Sequence, residues 1–505
     1  ETVEQQAQRA LQQVDQKRTD VGRYIYLLQL LDANETLFYR VVMSDPARFL
    51  PILYAPTVGE VCLTFGHIYR RPRGMYLTIK QKGRVRQLLR NWPEKDVRVL
   101  CVTTGERVLG LGDLGANGMG IPIGKLQMYT ACAAVPPDCL LPVLLDCGTN
   151  NRELLDDPLY LGLRQTRPTD EDMTSFVDEF VESVQDVFPN CCIHFEDWKG
   201  TDAVRFLARY RDRVCCYNDD IQGTGSVVAA GLLNAVRIKG EQLQDQRVLF
   251  LGAGSAAIGI ADMLVSAMQL EGTSEDSARG RISLFDVNGI LEPSRGDLIP
   301  EQKRYAHPHA PTRDFVAAIN SLKPTVLIGV STVGKAFNKP VVEAMSALNE
   351  RPVIFALSNP TNRAECTAEE AYSWSRGRAI YAAGVQFPPF HFDGKTFLPG
   401  QANNFYVFPA VGLAIFATNT RRVNDQMFIE AAQATADQVT DAQRSLGMLF
   451  PPQTNVLETE IRTAERVAAV MFDQGLARVE RPQDIGRWLR EKIYKPEYSI
   501  RMAGA

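Results

Sequence analysis

The stretch between residues 193 and 226 begins with Ile193-His194-Phe195-Glu196-Asp197-Trp198 and ends with Cys215-Cys216-Tyr217-Asn218-Asp219-Asp220-Ile221-Gln222-Gly223-Thr224-Gly225-Ser226. Each half is a short apolar run that ends in an acidic pair, and the apolar residues between the halves recur at helical spacing. A strand–helix–strand unit would bring both strand ends to one edge of a sheet. Four carboxylates there repel one another unless they hold a cation, and hard oxygen ligands favour Mg²⁺ or Mn²⁺ over Zn²⁺. The pattern therefore predicts a divalent-metal site, with acids merely solvated at strand ends as the alternative.

Length and charge limit the class of protein. A chain of 505 residues is too long for one core and predicts two or three domains. The composition, 45% hydrophobic and 23% charged, is typical of a globular protein. A net charge of -4 argues against a nucleic-acid or membrane-surface partner, and no apolar run is long enough to cross a bilayer.

The cysteines raise a second metal possibility. Two vicinal pairs, Cys191-Cys192 and Cys215-Cys216, flank His194 and suggest zinc. Neighbouring side chains on a strand point to opposite faces, so a vicinal pair cannot easily serve one ion. Ten cysteines in a chain of this size do not suggest a disulfide framework either. We expect buried thiols in a reducing compartment.

The order of predicted elements indicates an α/β protein. Apolar faces at helical spacing dominate the start of the chain, and strands alternate with helices from residue 97 onward. The predicted regions are a mainly helical N-terminal region (1–95), an α/β substrate and metal domain (96–217), a Rossmann-type, doubly wound dinucleotide-binding domain (218–402), a helical segment that returns to the substrate domain (403–475) and a C-terminal tail (476–505).

A glycine-rich segment follows the first strand of the α/β pattern. Seven glycines lie between residues 105 and 124, where they allow the backbone to approach a small ligand closely. The segment carries Arg107 and Lys125, which are both suited to carboxylates. Earlier in the chain, Pro56 and Gly59 force a turn that can present Tyr54. Purely structural functions for this loop and this tyrosine are the alternatives.

A dinucleotide-binding pattern begins near residue 247. An apolar strand leads into Gly252-Ala253-Gly254-Ser255-Ala256-Ala257, and the amides at the start of the next helix can hold a pyrophosphate. The next strand ends in Asp286, which is suited to an adenosine ribose. Further strands end in turns that carry Asn359 and Asn403-Asn404, where amides face the ligand crevice of such a sheet.

Together these motifs resemble the large-subunit malic enzymes over nearly the full chain. The matching motifs are Tyr54-Ala55-Pro56-Thr57-Val58-Gly59, Glu106-Arg107-Val108-Leu109-Gly110-Leu111-Gly112-Asp113-Leu114-Gly115, Gly118-Met119-Gly120-Ile121-Pro122 with Lys125, Phe195-Glu196-Asp197, Asn218-Asp219-Asp220-Ile221-Gln222-Gly223-Thr224, Ser358-Asn359-Pro360-Thr361 and Asn403-Asn404. The chain departs from the family at Ala55, where Thr is usual, and at 383–387, which replaces a Ser-Gly-Ser-Pro-Phe pattern.

The resemblance implies oxidative decarboxylation of L-malate to pyruvate and CO₂ with NAD or NADP and Mg²⁺ or Mn²⁺. By resemblance, Glu196, Asp197 and Asp220 are the metal ligands. Lys125 is the general base, and Asp219 holds it. An unperturbed lysine pKa of about 10.4 is too high for a base, so a cation and Arg107 nearby would have to lower it while Asp219 opposes them.

The resemblance also implies the substrate contacts. Tyr54 is the acid that protonates enolpyruvate. Arg107, Asn359 and Asn404 hold the carboxylates of malate. Asn403, with Asn359, lies on the nicotinamide side.

The preference between the cofactors rests on few residues. The predicted nucleotide contacts in the first turn are Gly252, Gly254, Ser255, Ala256 and Ala257. Asp286 favours a free ribose hydroxyl and hence NAD. Lys303 and Arg304 follow in the region where family members that use NADP place a basic residue, although Gln302 would take that place if the alignment slips by one. We predict NADP, with NAD as second choice.

Two other functions stay open from the sequence. A malolactic-type enzyme would convert malate to lactate without net redox change, and a catalytically silent protein would only bind malate or nucleotide. The intact glycine-rich motifs favour the malic enzyme, and the presence of Lys125, Tyr54 and all the acids argues against a silent protein. The family further implies a homodimer or homotetramer, and we expect the protein in the cytoplasm or the mitochondrial matrix.

Overall fold

The computed structural model describes residues 1–108 and 110–498. Leu109 of the glycine-rich motif and the end of the predicted tail, 499–505, lie outside the described residues. The strands are β1 (Met75–Thr78), β2 (Val99–Thr103), β3 (Leu140–Asp146), β4 (Cys192–Phe195), β5 (Cys216–Asn218), β6 (Val248–Leu251), β7 (Ile282–Asp286), β8 (Gly289–Ile290), β9 (Val326–Gly329), β10 (Val353–Ala356), β11 (Ile380–Ala383), β12 (Phe390–Phe392), β13 (Lys395–Phe397) and β14 (Gly400–Gln401).

Helices make up most of the remaining elements. The α-helices are α1 (Val3–Asp15), α2 (Asp20–Ala33), α3 (Glu35–Val42), α4 (Pro46–Leu53), α5 (Thr57–Leu63), α6 (Phe65–Ile68), α7 (Val85–Leu89), α8 (Gly120–Ala133), α9 (Arg152–Asp156), α10 (Asp170–Val187), α11 (Gly200–Tyr210), α12 (Thr224–Lys239), α13 (Ser255–Leu270), α14 (Glu275–Arg279), α15 (Pro300–Lys303), α16 (Phe315–Leu322), α17 (Lys339–Leu348), α18 (Ala368–Trp374), α19 (Phe408–Thr418), α20 (Asp425–Asp437), α21 (Asp441–Ser445), α22 (Val456–Asp473) and α23 (Ile485–Lys492). Short 3-10 turns are Ile79–Gln81, Gly115–Met119, Pro137–Cys139, Leu243–Asp245, Thr361–Arg363, Asn404–Tyr406 and Gln453–Asn455.

The first sheet is parallel throughout and has the order β1-β3-β2-β4-β5. Its inner strands are buried on both faces, which explains their continuous apolar runs. The edge strand β1 comes from the mainly helical beginning of the chain and pairs with β3. The N-terminal region therefore contributes a strand to the sheet that carries the acidic pairs.

The second sheet is doubly wound, with the order β14-β11-β10-β9-β6-β7-β8. All its pairings are parallel except that of β7 with β8. The chain leaves β6 toward β7 and later returns to β9 on the other side of β6. Ligands of such sheets bind at this switch point, beyond the carboxyl ends of the strands. The α/β fold class with a Rossmann-type domain is confirmed.

Two helical connections join the sheets. α12 leads from β5 of the first sheet to β6 of the second and packs against α13 and α20. After the second sheet, α19 and α22 pack against each other and against α8 of the first sheet. The C-terminal helices thus cover the helix that carries Lys125. The predicted tail begins with a segment that includes α23.

The cysteines lie in the core of the protein. All ten cysteines are buried, free thiols. Over the described part of the chain, no cysteine joins a cluster of possible metal ligands. The helices of residues 1–108 and 110–498 include none that is both long and apolar enough to cross a bilayer.

Candidate active site

The acidic pairs lie where β4 and β5 end side by side. The strands are parallel, with Phe195 opposite Asn218, so the acids that follow them share one edge of the sheet. One carboxylate oxygen from each of Glu196, Asp197 and Asp220 lies within 4.8 Å of the others. Burial raises the pKa of Glu196 and of Asp220, and the neighbouring carboxylates raise them further. A divalent cation would offset this repulsion, and three hard oxygen donors suit Mg²⁺ or Mn²⁺.

A π-helical turn after β5 (Asp219–Gly223) separates the functions of two consecutive acids. Asp219 is fully buried and accepts a hydrogen bond from Lys125. Asp220 instead lines the open cleft. The turn also needs its glycine, because a Cβ on Gly223 would lie 1.9 Å from Oδ1 of Asp219. The local irregularity of the chain therefore directs one carboxylate to the lysine and the next to the metal site.

Lys125 lies on α8 and is 1% exposed. Its Nζ hydrogen-bonds to Asp219 and lies 3.1 Å from Oε1 of Glu196. The same nitrogen lies 4.2 Å from the ring centroid of Phe408, which gives a cation–π contact that the sequence analysis did not identify. Burial lowers the pKa of Lys125, but the two carboxylates outweigh burial and hold the pKa well above its ordinary value. Among the groups of the chain itself, Asp219 and Glu196 therefore have a larger effect on the pKa of Lys125 than burial has.

Tyr54 lies next to Lys125. It follows the last residue of α4, is buried, and has its ring centroid 5.4 Å from Nζ of Lys125. Burial raises the pKa of Tyr54 well above its ordinary value, although the charge of Lys125 lowers it. The phenol therefore keeps its proton at neutral pH, as a proton donor must.

Asn404 lines the cleft and also hydrogen-bonds to the partner of Lys125. Its Nδ2 donates to Oδ2 of Asp219 over 2.8 Å and lies 3.1 Å from Oγ1 of Thr224. Sequence analysis assigned Asn404 to a malate carboxylate by resemblance and gave no indication of this bond. The structure adds that Asn404 holds the carboxylate that in turn holds Lys125.

One cleft joins the residues of the two sheets. It encloses a cavity of about 210 Å³ between the edge of the first sheet and the switch point of the second. The predicted site residues that line it are Tyr54, Arg107, Lys125, Glu196, Asp197, Asp220, Ser255, Ala256, Asn359, Asn403 and Asn404.

Arg107 lies close to the start of α13. A Cβ built on Gly200 would lie 2.7 Å from Oγ of Ser255 and 3.3 Å from Nη1 of Arg107. Glycine at 200 thus keeps the space between the arginine and the nucleotide turn open.

The turn between β6 and α13 has the geometry of an anion site. Gly252 has φ +118°, and a Cβ there would lie 2.6 Å from the carbonyl oxygen of Val330 at the end of β9. No side chain caps the start of α13, so its first amides are available to a pyrophosphate. Ser255 and Ala256 line the cleft, whereas Ala257 is buried and packs in the core.

Asp286 does not present a free carboxylate at the end of β7. Arg295 donates Nη1 to Oδ1 over 2.9 Å and Nη2 to Oδ2 over 2.8 Å. This bidentate pair partly offsets the charge of Asp286, because Arg295 also forms an ion pair with Asp297 over 2.6 Å. Sequence analysis missed Arg295 because no local spacing links it to Asp286.

Lys303 and Arg304, the predicted basic pair, differ in their contacts. Nη2 of Arg304 donates to Asp262 of α13 over 2.9 Å. Lys303 is exposed, and within the described part of the chain it makes no ion pair. The Nε2 of Gln302 donates to the carbonyl oxygen of Ala253 in the glycine turn over 3.0 Å. Gln302 is therefore the residue of this segment that contacts the nucleotide turn.

The chain matches two family descriptions in succession. Residues 31–211 match "Malic enzyme, N-terminal domain", and residues 221–472 match "Malic enzyme, NAD binding domain".

Similar proteins extend over most of the chain. An "NADP-dependent malic enzyme" of Phaseolus vulgaris is 45% identical over 98% of this chain and 85% of its own, and one of Homo sapiens is 44% identical over 98% and 87%. Among solved structures, the malic enzyme of Entamoeba histolytica superposes with a TM-score of 0.63 at 23% identity, over 87% of this chain and 79% of that one. At that identity, the structural likeness supports the fold.

Proposed function

The chain belongs to the malic enzyme family, and from that premise we propose that it oxidatively decarboxylates L-malate to pyruvate and CO₂ while it reduces NADP. The observation that carries the proposal is the meeting of Glu196, Asp197 and Asp220 with Lys125 and Tyr54 in one cleft that reaches the nucleotide turn. The reaction balances as malate plus NADP⁺ giving pyruvate, CO₂ and NADPH.

The three carboxylates at the ends of β4 and β5 would hold Mg²⁺ or Mn²⁺. Their donor atoms are close enough to share one ion, and their burial makes an uncompensated cluster costly. A bound cation would polarise the substrate oxygen on C2 and stabilise the negative charge that develops as CO₂ leaves. NAD is the second choice for the nucleotide.

We assign the first proton transfer to Lys125. The hydroxyl on C2 of malate must lose its proton as hydride leaves that carbon, which requires a base within hydrogen-bond reach. Asp219 and Asn404 fix the position of Nζ, and Phe408 excludes water from one side of it. The carboxylates hold Lys125 as an ammonium, so it can act as the base only where a divalent cation bound by Glu196 and Asp220 would offset their charge and lower the lysine pKa.

Tyr54 is placed to return a proton to C3 after decarboxylation. Its buried phenol retains a proton at neutral pH and lies beside Lys125, from which it can be reprotonated. Arg107 and Asn359 line the same cleft and would bind the substrate carboxylates.

The start of α13 would hold the nucleotide. Ser255 and Ala256 would offer backbone amides to the pyrophosphate, and Asn403, which lines the same cleft, would contact the nicotinamide side. The bidentate pairing of Asp286 with Arg295 supports NADP, since it occupies the carboxylate that would otherwise accept a free ribose hydroxyl.

A product assay tests this function against its rivals. Incubation with L-malate, Mn²⁺ and either NADP or NAD is expected to yield pyruvate, CO₂ and reduced nucleotide in equal amounts, with NADP preferred. Lactate without net nucleotide reduction would indicate a malolactic-type enzyme. Malate binding without any product would indicate a silent binding protein.

Assembly and location follow from the family as further proposals. We propose a homodimer or homotetramer of the chain in the cytoplasm or the mitochondrial matrix. Sedimentation velocity at several concentrations distinguishes these assemblies from a monomer, and fractionation of the source cells distinguishes the compartments.

A further inference from the structure

A chain of buried polar groups lies behind the metal-ligand candidate Glu196. His194, two residues earlier on β4, lies on the same face of the strand and is fully buried. Its Nε2 lies 2.8 Å from Oε2 of Glu196. Its Nδ1 lies 2.8 Å from the hydroxyl of Tyr129 and 3.0 Å from that of Tyr217, and these two hydroxyls hydrogen-bond to each other.

The direction of these hydrogen bonds follows from the carboxylate of Glu196, at one end of the network. An ionised carboxylate only accepts, so Nε2 of His194 must carry the hydrogen that is donated to Glu196. In a neutral imidazole, Nδ1 is then an acceptor and takes a hydroxyl hydrogen from one tyrosine. The second tyrosine donates to the oxygen of the first. Tyr129 and Tyr217 thereby select the tautomer of His194 that can donate to Glu196.

The two oxygens of Glu196 are held by different partners. Oε2 faces His194, and Oε1 lies 3.1 Å from Nζ of Lys125. The Tyr217 ring packs against the imidazole, with ring centroids 4.6 Å apart and planes tilted by 31°, and this contact restricts rotation of the histidine. The carboxylate plane of Glu196 is therefore fixed before any ligand binds.

His194 could instead be a metal ligand itself, since it forms a compact cluster with Glu196 and Asp219. That cluster lies behind the strand edge, because neither His194 nor Asp219 lines the cleft. Oδ2 of Asp219 is also already bonded to Lys125 and Asn404. The cluster that faces the cleft contains Glu196 but not His194.

We propose that His194, oriented by Tyr129 and Tyr217, is a positioning residue that sets the carboxylate of Glu196 for divalent-metal binding. The proposal deepens the proposed function and rests on it for the identity of the cation. Partners that orient a metal ligand in this way typically contribute roughly 10- to 100-fold to metal affinity.

The test compares two variants with the wild-type chain. His194→Leu removes the donor to Glu196, whereas the amide of His194→Gln can still donate to it. Mn²⁺ affinity is measured on the metal-free protein without substrate, by calorimetry or by electron paramagnetic resonance of free Mn²⁺. We expect His194→Leu to weaken Mn²⁺ roughly 10- to 100-fold and His194→Gln to remain within about threefold of the wild type. NADP affinity and the melting temperature of the metal-free proteins should stay close to wild type.

Three outcomes would overturn the proposal. The first is an unchanged Mn²⁺ affinity in His194→Leu. The second is an equal loss of affinity in the Leu and Gln variants, which indicates a direct ligand, and the third is a parallel loss of NADP binding, which indicates a general structural defect. If His194→Leu does not fold, the Tyr129→Phe/Tyr217→Phe double variant replaces it. Loss of both hydroxyls should weaken Mn²⁺ several-fold, and unchanged affinity there would equally overturn the proposal. A wild-type chain that binds Mn²⁺ with an affinity that depends on His194, but that does not oxidise malate, would refute only the proposed function.

Discussion

Lys125 is an ammonium enclosed by two carboxylates and an aromatic ring, and its substitution separates proton transfer from metal chemistry. Lys125→Ala should lower malate oxidation by roughly 10² to 10⁴, the usual contribution of a positioned base. Decarboxylation of added oxaloacetate begins after that step and needs mainly the cation, so it should fall clearly less. Steady-state rates of the two half-reactions and Mn²⁺ affinity, which should not weaken, check this.

The exposed Lys339→Ala serves as the matched control and should leave both rates unchanged. Equal losses in the two half-reactions for Lys125→Ala would mean that the lysine is a structural charge and not the base.

Asp220 supplies one of the three carboxylates at the sheet edge. Asp220→Asn replaces an anionic ligand by a neutral amide, which binds Mg²⁺ poorly. Because both half-reactions need the cation, both should fall by on the order of 10² or more. The exposed Asp212→Asn is the control for a lost negative charge. Full wild-type activity in a buffer with excess chelator would contradict the metal site.

Lys303 and Arg304 test the basis of nucleotide preference. Lys303→Gln should lower kcat/KM with NADP relative to NAD roughly tenfold, if its ammonium contacts the ribose phosphate. Arg304→Gln should change the ratio less, because its guanidinium is bound to Asp262. The two ratios, measured with saturating malate, decide the assignment. An unchanged ratio in both variants would remove this basic pair from the nucleotide site and leave Gln302 and Arg295 as the residues to test.

Single residues differ in how far their sequence context predicts them. The acids after β4 and β5 and the glycine turn after β6 follow apolar runs, so strand geometry alone places them at sheet edges. The bond from Asn404 to Asp219 and the pair of Arg295 with Asp286 join residues from different elements. No periodic pattern records such contacts, because they depend on the tertiary packing of the elements.

At the level of elements, α22 supports the start of α19 through a buried acid. Glu460 is fully buried, and its Oε2 accepts a hydrogen bond from the amide of Ala410 over 2.9 Å. Burial raises the pKa of Glu460 well above its ordinary value, although the amide of Ala410 lowers it. α19 in turn carries Phe408, which contacts Lys125. A buried acid whose ionisation is disfavoured in the folded state therefore lies one helix away from the active site.

This raised pKa has a defined effect on stability. Below the pKa of the unfolded chain, about 4.3, Glu460 is protonated in both states and costs nothing. Above it, only the unfolded state ionises readily, so stability is lost as pH rises toward the folded-state pKa, by at most about 1.4 kcal/mol per pH unit. Glu460→Gln cannot ionise and should become the more stable protein with rising pH. Denaturant unfolding at pH 5 and pH 8 measures the difference.

The variant Glu480→Gln, at an exposed glutamate, controls for the general effect of a lost charge. If Glu460→Gln and the wild type lose stability equally between the two pH values, the buried carboxyl is not the cause.

Elements were predictable where their own residues determine them. The parallel strands of both sheets are continuous apolar runs, and the sequence locates them to within a few residues. β1 is different: it has four residues, only one of them fully buried, and its partner β3 lies far along the chain. The π-helical turn of Asp219–Gly223 depends on Gly223 fitting beside Asp219, which is a packing condition and not a local propensity.

For the whole molecule, the cleft between the two sheets makes ligand binding a contribution to stability. The proposed metal ligands come from the first sheet and from the junction to α12, so a cation would bind only the folded chain. Mn²⁺ at 100 times its dissociation constant should stabilise the protein by about 2.7 kcal/mol. Thermal unfolding with and without Mn²⁺ measures this, and Asp220→Asn should show little of the increase. Equal stabilisation of both proteins would place the ion elsewhere.

The packing of α19 on α8 also has a consequence for the biosynthesis of the enzyme. Lys125 and Asp219 leave the ribosome early, but Asn404 and Phe408, which hold and cover them, are translated only after the whole nucleotide-binding sheet. A nascent chain that has already formed the first sheet thus lacks the groups that fix its proton-transfer lysine. The proton-transfer lysine can therefore be fully enclosed only after α19 has been synthesised and has docked on α8.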